Sequence, residues 1–122
     1  MKPEEILGKL LIEKHLTIAT AESCTGGLLS SKLTDVSGSS AYILLNLVTY
    51  ANEAKEKMLD VIIDKEGVVS ENCAFQMAKG LHNLTSSEIC VSTTGIAGPT
   101  GGSKEKPVGG QSAAYQRDSR TE

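Results

Sequence analysis

Three side chains that can attack, accept or donate a proton stand next to one another in Ala21-Glu22-Ser23-Cys24-Thr25-Gly26-Gly27. Ser23 offers a hydroxyl, Cys24 a thiol and Glu22 a carboxylate. Two glycines then allow the backbone to approach a ligand closely. A helix beginning here would add free N–H groups and the positive end of its dipole, which suit an anion. The plain alternative is a helix start capped by Thr25, with small residues for tight packing, and an isolated motif of this kind favours it. A second candidate is Lys55. It falls in the first turn of a helix expected after Asn52, where the dipole disfavours a cation and lowers a lysine's pKa toward that of a general base. Position alone favours a solvated surface lysine, like Lys57 beside it.

The elements that would hold these residues can be read from periodicity. Residues 3–14 form a helix, with Pro3 at its start and Ile6, Leu7, Leu10 and Leu11 on one face. Residues 16–20 read as a buried strand, so the Ser23 stretch is a strand-to-helix turn, where open α/β folds bind ligands. A helix follows to about residue 34. Residues 35–40 are turn-rich and end in two adjacent hydroxyls, Ser39 and Ser40. Residues 43–50 make a second strand with Asn46 as its odd polar member. Asn52 is the expected cap of a helix over 53–59. After a connector, Ser70 caps a helix from 71 to about 82, with Cys73, Ala74, Met77, Ala78 and Leu81 facing inward. Residues 88–94 are a third strand, running into a second glycine-rich loop that holds Gly95, Gly98, Gly101 and Gly102. That loop lacks the Gly-Lys-[Ser/Thr] ending of a phosphate-binding P-loop.

Composition removes several classes of function. The chain has 122 residues, enough for one domain with one core. One Phe, three Tyr and no Trp leave little for base stacking, and a net charge of −3 without a basic cluster argues against nucleic-acid binding. No apolar run reaches membrane-spanning length, and the acidic start lacks the apolar core of a signal peptide, which points to the cytoplasm. Cys24, Cys73 and Cys90 are scattered and read as free thiols. His15 and His82 read as residues near helix C-termini, so no metal site is expected.

Five stretches together resemble the CinA C-terminal domain family. They are the Ser23 motif, Gly38-Ser39-Ser40-Ala41, Val48-Thr49-Tyr50-Ala51-Asn52-Glu53-Ala54-Lys55, Val68-Val69-Ser70-Glu71, and the run from Thr94 to Gly109. They follow the family's order and spacing. The resemblance implies an α/β fold, specifically a three-layer α/β/α sandwich with a mixed sheet. It also implies a cytoplasmic amidohydrolase of pyridine-nucleotide salvage. Such an enzyme cleaves the carboxamide of nicotinamide mononucleotide (NMN) to nicotinic acid mononucleotide and ammonia, with no metal or other cofactor. The catalytic set it implies is Ser23, Ser40 and Lys55, with Tyr50 and Thr94. Either Ser23 or Ser40 is the nucleophile and Lys55 the base, which reverses the surface reading of Lys55. Thr25, Gly26, Gly27, Gly95, Gly98, Gly101 and Gly102 become substrate contacts, and helix N-termini with the second loop would cradle the substrate phosphate.

The match runs over residues 1–109. The family continues into further strands and a C-terminal helix, and an arginine from that part is thought to contact substrate. Here residues 110–122 are polar, read as a disordered tail, and give no counterpart; Arg117 and Arg120 lie in unrelated sequence. Loss of strands and a helix would leave sheet edge exposed, and a homodimer is one way to cover it. The alternative function is therefore a catalytically inactive nucleotide-binding fragment of the same family. The expected partner in either case is a small pyridine nucleotide, not nucleic acid or membrane.

Overall fold

The computed structural model describes residues 1–63 and 71–95, and the backbone of 111–117. Helix α1 spans Pro3–Lys14 and ends where His15 turns left-handed, at φ 55°. Strand β1 spans Ile18–Glu22 and helix α2 Leu28–Thr34. A short 3-10 turn, Ser39–Ala41, leads into β2, Ile43–Val48. Helix α3 covers Asn52–Leu59 and α4 Glu71–Thr85. Strand β3 spans Ile89–Gly95 and β4 Gln111–Arg117.

The sheet order is β2-β1-β3-β4, with β1 parallel to both neighbours and β4 antiparallel to β3. Every residue of β1 is buried, as a central parallel strand requires. Alternation divides its side chains. Ala19 and Ala21 join Cys90, Leu59, Val61, Cys73, Met77 and Leu81 in a cluster under α3 and α4. Ile18 joins Leu11, Leu33 and Tyr42 in a second cluster under α1 and α2. The result is the three-layer α/β/α arrangement with a mixed sheet.

Three boundaries differ from the sequence reading. β1 lies two residues later than expected, because apolar content alone cannot say which part of 16–22 pairs. The residue at the cap of α3 is Ala51, without a side-chain bond, so Asn52 is already helical. Residues 111–117, expected within a disordered tail, form β4. The free edge of β3 offers a row of backbone donors and acceptors, and a segment of weak intrinsic preference pairs there in antiparallel register from Gln111 opposite Gly95 to Arg117 opposite Ile89. The expected cap Ser70 lies outside the described residues.

Candidate active site

Ser23 follows the last residue of β1 and is 7% exposed. Its amide still pairs across the sheet, donating to Thr93 O at 3.1 Å. The strand alternation therefore carries one residue further and sends Ser23 to the side of Ala19 and Ala21, the α3/α4 side. Its carbonyl accepts from Gly26 N–H at 3.1 Å, which closes the turn. Gly26 and Gly27 sit at φ 61° and 107°, a left-handed backbone that a side chain would strain.

Lys55 is 1% exposed although it stands in the first turns of α3. Its Nζ donates to Tyr50 O at 3.1 Å. Burial pushes its pKa below the ordinary lysine range; Cys73 and Cys24 act electrostatically in the opposite direction. The surface reading of Lys55 fails because the segment from Thr49 to Ala51 carries α3 back over the sheet. Thr49 N–H donates to Glu22 O at 2.8 Å, extending the pairing of β2 with β1 past both strand ends.

Thr94 is buried on β3, on the same side as Cys90 and Ser92, whose hydroxyl donates to Ala74 O of α4 at 2.6 Å. Ser23, Lys55 and Thr94 thus all fall at the carboxyl end of the sheet, on or just after three adjacent parallel strands. Tyr50 serves this cluster through its carbonyl, while its side chain is 71% exposed at the rim. Gly95 closes β3 at the same end. Gly98, Gly101 and Gly102 lie outside the described residues.

Ser40 is not brought to this site. It is exposed in the 3-10 turn before β2, and β2 begins opposite the start of β1, where Ile43 pairs with Ile18. Six residues of strand, at about 3.3 Å each, put Ser40 about 20 Å away along the sheet. The backbone of Arg117 is likewise at the far end, opposite Ile89.

Glu22 carries more than the sequence suggested. Wholly buried, it accepts Thr25 Oγ1–H at 2.6 Å, the amides of Leu29 and Ser30 at 2.8 Å each, and the Ser30 hydroxyl. Burial raises its pKa, but these bonds outweigh burial and hold the carboxyl below its ordinary range. The exposed amides at the head of α2 are thereby occupied, and the expectation that this helix end cradles a phosphate fails. Thr25 Oγ1 also lies 2.9 Å from Thr93 Oγ1, and Thr20 hydroxyl donates to Asn46 Oδ1 at 2.6 Å, which accounts for the polar member of β2. Thr49 was missed: its hydroxyl is buried on the α3/α4 side and has no hydrogen-bond partner among the described residues. No group of three or more His, Cys, Asp or Glu that could hold a metal occurs among the described residues, and no described helix is long and apolar enough to cross a membrane.

Fold and site together define a class: a three-layer α/β/α domain with a serine turn and a buried lysine at the carboxyl ends of parallel strands. Comparison with known proteins makes the assignment particular. The model of the CinA C-terminal domain matches residues 1–122, and the chain belongs to that family. A putative competence-damage inducible protein of Clostridium novyi is 53% identical over 109 residues, covering 87% of this chain and 26% of that protein. A CinA-like protein of Chlorobaculum tepidum is 56% identical over the same length and shares. The chain thus spans about a quarter of the length of the curated relatives it matches. The crystal structure of competence/damage inducible protein CihA from Agrobacterium tumefaciens superposes with a TM-score of 0.83 at 41% identity, over 96% of this chain and 75% of that one. A competence or damage-inducible protein from Enterobacter asburiae gives 0.86 at 30% identity, over 98% and 76%.

Proposed function

We propose that this chain is an amidohydrolase that cleaves the carboxamide of a pyridine nucleotide, NMN being the first substrate to test. The observation that carries the reading is the buried Lys55, its pKa lowered by burial, on the helix that follows β2 at the same end of the sheet as the Ser23 turn. A neutral amine in that position is a base for a serine hydroxyl. Ser23 Oγ attacks the carboxamide carbon and Lys55 takes its proton. The carbonyl oxygen becomes an oxyanion held by amides of the turn. Gly26 N–H is bound to Ser23 O, which leaves Cys24, Thr25 and Gly27 as donors for it. Lys55 as ammonium then protonates the departing nitrogen, the C–N bond breaks, and ammonia leaves an acyl ester on Ser23. Water activated by Lys55 opens the ester and releases the acid.

The test is ammonia release from NMN by the purified chain. Ser23→Ala and Lys55→Ala should each lower turnover by about a thousandfold or more. Ser40→Ala should not, because Ser40 stands at the other end of the sheet. NMN binding without turnover, by protein that circular dichroism shows to be folded, would leave a binding module and overturn the amidohydrolase reading.

A further inference from the structure

Glu22 takes no part in the chemistry above, yet it is a wholly buried carboxylate accepting four hydrogen bonds. Two of these come from the Leu29 and Ser30 amides at the head of α2. A third comes from Thr25, inside the turn itself. The cap residue of α2, Gly27, supplies no side-chain bond, so Glu22 does from five residues upstream what a cap would do. Thr25 in turn touches Thr93 Oγ1, and the carbonyl of Thr93 binds the Ser23 amide. The backbone around Ser23 is therefore held from β3 on one side and from Glu22, through Thr25, on the other.

We propose that Glu22 is a positioning residue for the nucleophile turn: its carboxylate, spanning Thr25 and the head of α2, holds Ser23 and the amides after it in the geometry that attack requires. This rests on the serine–lysine amidohydrolase reading. A carboxylate is the one side chain of this length that is acceptor-only at both oxygens. In Glu22→Gln the NH2 group must face donors, either the Ser30 amide and hydroxyl or the Leu29 amide and Thr25 hydroxyl. The volume barely changes, so the core under Ala19 and Ala21 keeps its packing while the turn loosens. A misplacement of about 1 Å at a reacting group can cost about a hundredfold in rate.

The experiment combines NMN kinetics with amide hydrogen exchange followed by NMR, on wild type, Glu22→Gln and Thr25→Val. In Glu22→Gln, kcat should fall about 30- to 100-fold while KM stays within about threefold, because the lost geometry matters to attack and not to binding. Exchange at Gly26, Leu29 and Ser30 should quicken at least about tenfold, with Ala19 and Ala21 unchanged. Wild-type kcat with wild-type exchange in Glu22→Gln overturns the proposal. So does faster exchange throughout β1, which would make Glu22 part of the core. If Glu22→Gln does not fold, Thr25→Val decides by the same readouts, since it removes the hydroxyl that joins Glu22 and Thr93 and leaves the carboxylate and its α2 bonds in place. If wild type releases no ammonia, the amidohydrolase reading fails by itself, and unaltered exchange at Gly26, Leu29 and Ser30 in Glu22→Gln would separately overturn the role in holding the turn.

Discussion

Lys55 and Glu22 both titrate below their ordinary ranges, but for opposite reasons: burial disfavours the lysine's charged form, while hydrogen bonds favour the carboxylate's. Burial lowers the lysine's folded pKa, while in the unfolded chain it is about 10.4. Between those two values the unfolded chain binds more protons, so stability rises with pH across that window, and below it the full cost of burying a cation is present. Lys55→Met should be inactive, more stable than wild type at pH 7, and free of this rise; urea unfolding from pH 7 to 10 measures it, and a wild-type stability that falls over the window would contradict the assignment. Glu22 has a depressed pKa, so its contribution is present above about pH 4.3 and is lost as pH falls through its folded value. Thr49 adds a simpler case. A buried hydroxyl without a partner costs about 1–3 kcal/mol, so Thr49→Val should raise stability by about 1 kcal/mol. The thiols divide by access: Cys24 is half-buried, Cys73 and Cys90 are buried, and burial pushes the Cys90 thiol up to about 11. A disulfide reagent at pH 8 should titrate one fast thiol in the native chain, and Cys24→Ser should remove it.

At the level of elements, close approach decides what substitutions are tolerated. A Cβ added at Gly80 would collide with the Leu59 carbonyl, so α4 passes over the end of α3 with no room for a methyl group. Gly80→Ala should therefore cost about 1–3 kcal/mol of stability, read from the urea midpoint, despite alanine's better helix propensity. The inward face of α4 was legible beforehand because Cys73, Ala74, Met77, Ala78 and Leu81 recur at helical spacing, and all five are buried. α1 was legible from its proline start and apolar face. Other features were not, since their causes are distant in sequence. Glu22 survives inside a buried strand through the Thr25 hydroxyl and α2 donors seven and eight residues later. Asn46 is satisfied by Thr20, 26 residues earlier, and β4 depends on an edge that β3 provides. The burial of Lys55, against its surface position in the local pattern, was legible only through the five motifs taken together, whereas the remoteness of Ser40 follows from strand direction, which no local pattern encodes.

At the largest scale, the described residues form one sheet with an apolar cluster on each face and an unequal pair of edges. Among the described residues β2 pairs only with β1, and its Leu44 and Val48 are each 51% exposed. A neutral, apolar edge strand is a template for pairing with another chain. Sedimentation should reveal concentration-dependent association that Leu44→Lys suppresses; a chain that stays monomeric at every concentration would contradict this. The central place of β1 also has a consequence in time. One neighbour, β2, is made about 25 residues after it, but the other, β3, comes 71 residues later, as the pairing of Ile18 with Ile89 records. Closing so long a loop is slow, and synthesis at about 5–20 residues per second delays it by several seconds more. Until Thr93 arrives, nothing receives the Ser23 amide. A newborn chain therefore passes through an interval with its first strand half-paired and its serine turn unmade, and a chaperone that shields apolar strands would meet it then.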